Sequence, residues 1–190
     1  MTKEKLHKLL EYVNASREKR AEMAAVVINH PESIGPLLKI GLDSDDPLSS
    51  RACWVLEFAV KKRLAYILPY IDRFTSSIHN LHLESSIRPM AKICELLMQS
   101  FFSGSDHEVH EKIADQHLER IAAACFDWLI GTHKVATKAY SMTCLFLVGK
   151  KFEWIHPELR QVIERHYAEG SAAYKARARH TLSALKKLEK

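Results

Sequence analysis

The amino-acid sequence predicts an all-α protein, and more specifically a short right-handed α-solenoid of about ten helices stacked in pairs. Apolar residues recur at the helical period along most of the chain. The six Gly and six Pro of the 190 residues stand mainly between these helical stretches, where they end one helix or begin the next. A proline followed by a basic residue also recurs, and such internal repetition is typical of solenoids.

Residues 43–63 show the repeated unit most clearly. Asp46 is suited to capping a helix, and Pro47 is suited to its first turn. The sequence therefore predicts a helix that begins near Pro47, ends near Arg63 and follows an acidic turn. Its apolar stripe comprises Leu48, Ala52, Val55, Leu56, Ala59 and Val60.

The other helices follow from the same alternation of apolar stripes and breakers. Ser105 and Glu108 form a capping box for a long helix that should run over residues 106–130. Gly131 should end that helix. The predicted helices cover, in order, residues 3–14, 16–29, a short segment ending at 41, 47–63, a segment opened by Pro69, 87–97, 106–130, 134–148, a segment opened by Pro157, and 172–188.

The internal repeat pairs a helix opened by proline with a second helix that carries a basic residue near its start. Lys138 takes the basic position in a pair without proline, because Cys94 and Cys144 lie six residues after Arg88 and Lys138 respectively. Repetition at this spacing predicts stacked helix pairs. The other pairs of proline and basic residue are Pro36 with Arg51, Pro69 with Arg88, and Pro157 with Arg177 or Arg179.

The length and composition predict a single domain. At 190 residues and 47% hydrophobic content, the chain can bury a substantial core. We interpret residues 1–190 as one repeat domain, with capping helices over 1–30 and repeat pairs over 31–188.

The positive charge belongs to the end of the sequence. The formal net charge is +5, and residues 160–190 hold eight Lys/Arg against three Asp/Glu. Such a segment either meets phosphate or an acidic protein, or forms a solvated helix.

Cysteine use and the amino-terminal stretch indicate a cytoplasmic protein. Cys53, Cys94, Cys125 and Cys144 lie far apart within helical apolar patterns, as expected of reduced core thiols rather than disulfides or a zinc site. The charged start of the chain lacks the apolar segment of a signal peptide. No apolar run is long enough to span a bilayer, so we expect no membrane contact.

Six stretches carry a resemblance to known proteins: residues 12–18, 52–58, 87–95, 138–143, 154–159 and 172–180. They resemble HEAT-like (armadillo-type) α-helical repeat proteins, and more narrowly a group of small bacterial proteins of this length. The resemblance implies an α-solenoid that acts as a scaffold. Members of the group often carry the label adenylosuccinate lyase. That enzyme has a Ser-Ser-x-Met-Pro-x-Lys-x-Asn loop for its catalytic Ser; this sequence has none, so no lyase residue carries over.

The candidate binding residues lie on the second helices of the repeat pairs. Stacked repeats would align their basic residues, which could bind an acidic peptide or a phosphate backbone, or could pair with acids such as Asp43, Asp45 and Asp46. Trp54 and Phe58 could anchor a partner or could pack between repeats, and Tyr140 would share the groove. The predicted partner-binding face comprises Arg51, Trp54, Glu57, Lys61, Arg88, Lys92, Glu95, Lys138, Tyr174, Arg177 and Arg179.

Catalytic and metal motifs are missing from the sequence. It contains no Gly-rich phosphate loop, no Gly-x-Ser-x-Gly and no His-Glu-x-x-His. We therefore predict no catalytic residue, no cofactor and no metal site. Several histidines have helical spacing, but no further ligands accompany them at a diagnostic distance; they are His79 with His82, and His107 with His110 and His117.

The leading functional hypothesis is a non-enzymatic scaffold that binds a protein or peptide partner on its concave face; the partner and the oligomeric state stay open. The alternative is a nucleic-acid-binding or DNA-repair protein, because of the basic C-terminal segment and the aligned basic residues. The alkylpurine DNA glycosylases of HEAT-like fold are a precedent, and they use an Asp near Trp residues in a basic cleft. Asp127 and Trp128 are the adjacent Asp/Trp pair of this sequence. Adenylosuccinate lyase activity is a third, minor hypothesis.

Overall fold

The computed structural model describes residue 1, residues 3–104 and residues 106–188. Within these ranges the chain forms α-helices and short 3-10 turns, and no strand occurs there. The prediction of an all-α fold is thereby confirmed. The eleven α-helices are α1 (Lys3–Glu11), α2 (Arg17–Ile28), α3 (Ile34–Gly41), α4 (Ser49–Lys62), α5 (Ile71–Ser77), α6 (Glu84–Ser103), α7 (His107–Lys112), α8 (Asp115–Ile130), α9 (Val135–Val148), α10 (Ile155–Tyr167) and α11 (Ala172–Leu188).

The helices pack as a row with a second set against it. The row consists, in order, of α2, α4, α6, α9 and α11, and neighbouring helices in this order are in contact. Helix α3 packs on α4, α8 packs on α9, and α10 packs on both α9 and α11, while α5 packs on α8. This arrangement of pairs is compatible with a solenoid.

The prolines of the predicted repeat lie at or before the first turn of a helix, where a missing N–H costs nothing. Pro36 is the third residue of α3, and Pro157 is the third residue of α10. Pro69 lies in a 3-10 turn, Leu68–Tyr70, that leads directly into α5. A fourth proline, Pro89, lies inside α6.

Several predicted helix extents differ from the structure; α6, for example, covers Glu84–Ser103 rather than residues 87–97. Helix α4 begins at Ser49 rather than near Pro47, because the Asp46 carboxylate accepts the backbone N–H of Leu48 (2.9 Å) and holds the preceding turn. The single helix predicted over residues 106–130 is two helices, α7 and α8. The chain bends between them at Ile113, which is buried in the core.

The starts of α7 and α8 have their own hydrogen bonds. Asp106 caps α7 by accepting the N–H of Val109 (3.3 Å). His117 Nδ1 accepts the N–H of Ala114 (3.0 Å), so its Nε2 carries the proton and donates to Asp72 of α5 (3.2 Å). The predicted capping residue, Ser105, lies outside the described residues.

The buried apolar side chains form one cluster that extends from Leu6 in α1 to Leu185 in α11. Burial of apolar surface is the main favourable contribution to folding, so the whole described chain shares one source of stability. Among the described helices, none is both long enough and apolar enough to cross a membrane.

All four cysteines lie in this core as free thiols with no exposed surface. Cys125 of α8 lies close enough to Cys94 of α6 and Cys144 of α9 to contribute to the raised pKa of both. Burial raises the pKa of Cys53 to about 12, and it also raises the pKa of Cys94 and of Cys144. The thiolate form, which is the reactive one, is therefore suppressed in the folded protein.

We expect iodoacetamide at pH 8 to leave the native protein unlabelled and to alkylate all four cysteines after denaturation. Labelling is counted by intact mass before and after addition of urea. Rapid alkylation of native protein would contradict the burial described above.

The pKa of the buried thiols of Cys53, Cys94 and Cys144 is higher in the folded than in the unfolded protein. The free energy of unfolding should therefore decrease as the pH rises above the ordinary thiol pKa of about 8.5, because only the unfolded thiols then ionise.

Candidate partner-binding site

An open cleft of the row lies between α2, α4, α6 and the start of α9, with a volume of about 640 Å³. We call it the Trp54 cleft, after the aromatic residue in its wall. Phe58 and Leu83 add apolar surface to this wall. Its charged side chains are five cations and two carboxylates: Arg17, Arg20, Lys61, Arg88, Lys134, Glu57 and Glu84.

The carboxylate of Glu57 is the buried charge of the cleft, with only 1% of its side chain exposed. It accepts Lys61 Nζ at 2.5 Å, one helical turn along α4, and Arg88 of α6 at 3.0 Å. A buried carboxylate stays ionised only when such partners compensate for lost hydration. The pair with Arg88 therefore joins α4 to α6 across the row.

Arg20 of α2 adds a further positive charge beside this pair. Its guanidinium lies 4.4 Å from the centre of the Trp54 ring and donates to the carbonyl of Ala15 (2.7 Å). Burial lowers the pKa of Arg20, and repulsion from Arg88 lowers this pKa further, while Glu57 partly offsets both effects. The Nε of Arg20 is buried without a hydrogen-bond partner among the described residues. Positive charge thus exceeds what Glu57 neutralises.

Trp54 is held in the cleft wall by a defect in α6. Pro89 has no N–H, so the carbonyl of Ser85, four residues earlier, lacks its helical partner. Trp54 Nε1 donates to that carbonyl at 2.8 Å. The indole therefore ties α4 to α6 through its edge, while its face remains beside Arg20.

Glu84, the other carboxylate of the cleft, is also engaged. It accepts the backbone N–H of Lys134 (3.2 Å) and the hydroxyl of Thr137 (3.1 Å), and so caps the start of α9. His133 Nδ1 lies 2.8 Å from its other oxygen. Both carboxylates of the cleft are thus occupied by protein groups. In contrast, within the described ranges the side chains of Arg17 and Lys134 form no ion pair.

Two further clefts receive most of the other predicted residues. The Arg177 cleft, of about 440 Å³, lies between α6, α9 and α11 and contains Arg177, Lys92 and Glu95. Lys92 pairs with the nearly buried Glu95 at 2.6 Å and lies 5.0 Å from the centre of the Tyr140 ring. Lys138 and Tyr174 line a smaller pocket of about 270 Å³ at the other side of α9.

Two predicted residues lie outside these three sites. Arg51 donates to the carbonyls of Glu11 (2.8 Å) and Leu10 (3.3 Å), and so caps the end of α1 instead of pairing with the acids of the preceding turn. Arg179 is exposed on α11 and lines none of the three. The basic residues expected to align are therefore divided among separate places.

The sequence-based prediction missed four charged residues of the Trp54 cleft. A signal was available for two of them, because Arg17 and Arg20 fall three residues apart on one face of α2. The missed residues are Arg17, Arg20, Glu84 and Lys134.

The residues weighed for metal and DNA chemistry lie apart from these clefts. No three His, Cys, Asp or Glu side chains of the described residues are grouped so as to hold a metal ion. Asp127 is exposed while Trp128 is buried in the core, and neither lines any of the three sites. Comparison with protein-family models, with curated proteins and with solved structures finds no match to this chain.

We expect the Trp54 bond to depend on Pro89. Trp54→Phe should lower the free energy of unfolding by about 1 kcal/mol through loss of the bond to Ser85, beyond any loss of packing. In a Pro89→Ala background the new N–H serves that carbonyl, so this part of the cost should disappear. A double-mutant cycle by urea unfolding measures the difference. Equal costs in both backgrounds would show that water already serves the carbonyl.

We also expect Glu57 to be a stability determinant. Glu57→Gln leaves the neighbouring cations without their counter-charge and should lower the free energy of unfolding by about 2 kcal/mol. This is less than the usual cost of breaking a buried pair, because the side chains of Lys61 and Arg88 are 38% and 28% exposed. The matched control is Glu119→Gln, on an exposed position of α8. Urea unfolding of both variants tests this, and equal midpoints for both would contradict it.

Proposed function

We propose that the protein is a non-enzymatic interaction module and that its Trp54 cleft binds an acidic segment of a protein partner. The observation that carries this proposal is the unbalanced charge of the cleft. Three cations surround the buried carboxylate of Glu57, and two more, Arg17 and Lys134, line the same opening without an ion pair among the described residues.

The charge distribution favours an anionic ligand over a neutral one. Each carboxylate of the cleft is already bound to protein donors, so neither competes with an incoming anion. Guanidinium groups can bind a carboxylate through two parallel hydrogen bonds, and Arg17, Arg20 and Arg88 bring three such groups to the cleft. An acidic side chain would relieve the repulsion between Arg20 and Arg88.

The wall of the cleft favours a peptide over a simple ion. Trp54 and Phe58 are partly exposed there, and Leu83 is 37% exposed. Aromatic and Arg side chains of this kind are the usual anchors of protein interfaces. We therefore propose a partner segment that combines acidic residues with one apolar side chain.

A nucleic-acid ligand is supported by a different observation, the basic charge of residues 160–190 and of the Arg177 cleft. A phosphate backbone needs a continuous series of cations. Because Arg51, Arg88 and Lys138 have separate surroundings, this second function fits the geometry less well.

The proposal also assigns a cytoplasmic location, in keeping with four free thiols. Fumarate release from adenylosuccinate would test the lyase hypothesis separately.

We expect a fluorescent peptide of Glu residues around one Leu to bind, and its Gln counterpart to bind more weakly. Raising the salt concentration from about 50 mM to about 200 mM should weaken binding, since exposed cations contribute. Arg17→Gln with Lys134→Gln should reduce affinity about tenfold. Fluorescence anisotropy measures each case.

The control is Arg73→Gln with Lys39→Gln, which removes one Arg and one Lys from a different groove. An equal loss in this control would mean that net charge alone attracts the peptide. A short DNA duplex in the same assay distinguishes the second function: binding to DNA that exceeds binding to the peptide, with the same loss in the Arg17 and Lys134 variant, would overturn the protein-partner proposal.

A further inference from the structure

The side chains around Glu57 carry a local surplus of two positive charges. Lys61 and Arg88 contact the Glu57 carboxylate at 2.5 Å and 3.0 Å. Arg20 lies close enough to Glu57 and to Arg88 for both of their charges to shift its pKa. Three cations therefore surround a single carboxylate, and we call these four residues the Glu57 cluster. Because the Glu57 side chain is only 1% exposed, a ligand that enters the cleft meets the surplus cations and not the acid.

The cations of the Glu57 cluster retain hydrogen-bond donors that a ligand can reach. A guanidinium carries five N–H groups and an ammonium carries three. Among the described residues, Arg88 and Lys61 each donate one hydrogen bond, and both bonds go to Glu57. Their side chains are 28% and 38% exposed, and both line the open cleft. Arg20 is also partly exposed there. The remaining donors are thus available to an anion in the cleft.

Two further cations extend the positive charge to the opening of the cleft. Arg17 is exposed at the start of α2, and Lys134 is exposed just before α9. Neither forms an ion pair within the described ranges. They contribute from different helices of the lining, so acidic residues on either side of a bound group would also be attracted.

The size of the surplus distinguishes a phosphate from a carboxylate. A carboxylate brings one negative charge, so it would leave one charge of the Glu57 cluster without compensation. A phosphate monoester carries a charge of about −1.5 to −2 at pH 7 and has three strong acceptor oxygens. It can therefore balance the whole surplus and accept from several cations at once. Coulomb attraction also grows in proportion to the charge of the ligand.

The wall of the cleft distinguishes a phosphorylated protein segment from other phosphates. Trp54, Phe58 and Leu83 give apolar surface beside the Glu57 cluster. Free phosphate gains nothing from this surface, whereas the residues next to a phosphorylated side chain can pack on it. A nucleic-acid backbone presents a series of phosphates, and the single cluster of the cleft matches one.

We propose that the Trp54 cleft binds a phosphorylated side chain of the partner segment, with the phosphate beside Arg20, Lys61 and Arg88 and a neighbouring apolar residue on the aromatic wall. This inference rests on the proposed function and specifies which acidic group the cleft prefers. Phosphorylation of the partner would then control the interaction, because the modification supplies the second negative charge that the Glu57 cluster lacks.

The first test compares three fluorescent peptides that share one sequence around a Leu and differ at a single position, which is phosphoserine, Glu or Ser. We expect the phosphoserine peptide to bind about tenfold more tightly than the Glu peptide, and the Ser peptide to bind most weakly. Fluorescence anisotropy measures all three. Equal binding of the phosphoserine and Glu peptides would overturn this inference and leave the proposed function intact. Absence of binding by all three would overturn both.

Variants of the Glu57 cluster test where the phosphate binds. Arg20→Gln and Lys61→Gln each reduce the surplus to one charge, so the preference for phosphoserine over Glu should fall from about tenfold to about twofold. Arg73→Gln, on an exposed position of α5, is the matched control and should keep the full preference. An unchanged preference in both cluster variants would overturn the inference. Circular dichroism checks that each variant is folded, and the comparison of the three peptides on the wild-type protein needs no variant.

The role of the apolar wall is tested by other phosphate ligands. Replacement of the Leu by Ser in the phosphoserine peptide should weaken its binding, and inorganic phosphate should compete only at concentrations far above that of the peptide. Binding of inorganic phosphate, or of a short DNA duplex, as tight as that of the phosphoserine peptide would overturn the assignment to a protein segment.

Discussion

The carboxylate of Glu57, buried within the row of helices, requires positive charge around it, and much of the local architecture follows from that requirement. Lys61 supplies it from the same helix and Arg88 from the next, so that α4 and α6 are joined by charge as well as by apolar packing. Arg20 of α2 lies within the same field. Burying one acid has therefore gathered cations from three helices, and their excess over one charge gives the cleft its polarity.

A second local constraint acts on the same two helices. Pro89 interrupts the hydrogen bonds of α6 at its second turn, and the side chain of Trp54 replaces the missing donor. The residue that repairs α6 is thereby fixed in orientation with its ring face beside Arg20. Pre-organised aromatic and guanidinium groups lose little conformational freedom when a ligand binds. Trp54 can therefore both donate the hydrogen bond that α6 lacks and present its ring as part of a binding surface.

The sequence predicted the fold class well because helical periodicity and proline position depend on local chemistry. It located α4 and the basic position in α6, and it included Trp54, Glu57, Lys61 and Arg88 in the candidate site. It failed where contacts are made between distant segments. Arg51 was expected to join the other basic residues, yet it caps α1, about forty residues earlier in the chain. The contribution of α2 to the cleft was missed for the same reason, since no periodicity within α2 reveals which helix it faces.

Glu84 and the turn before α9 have a consequence for how the two sites relate. Lys134 lines the Trp54 cleft, its neighbour His133 lines the smaller pocket beside Lys138 and Tyr174, and Glu84 binds both residues. One short segment thus supports two cavities. Because one carboxylate holds both residues, loss of Glu84 would release one lining residue of each cavity at once.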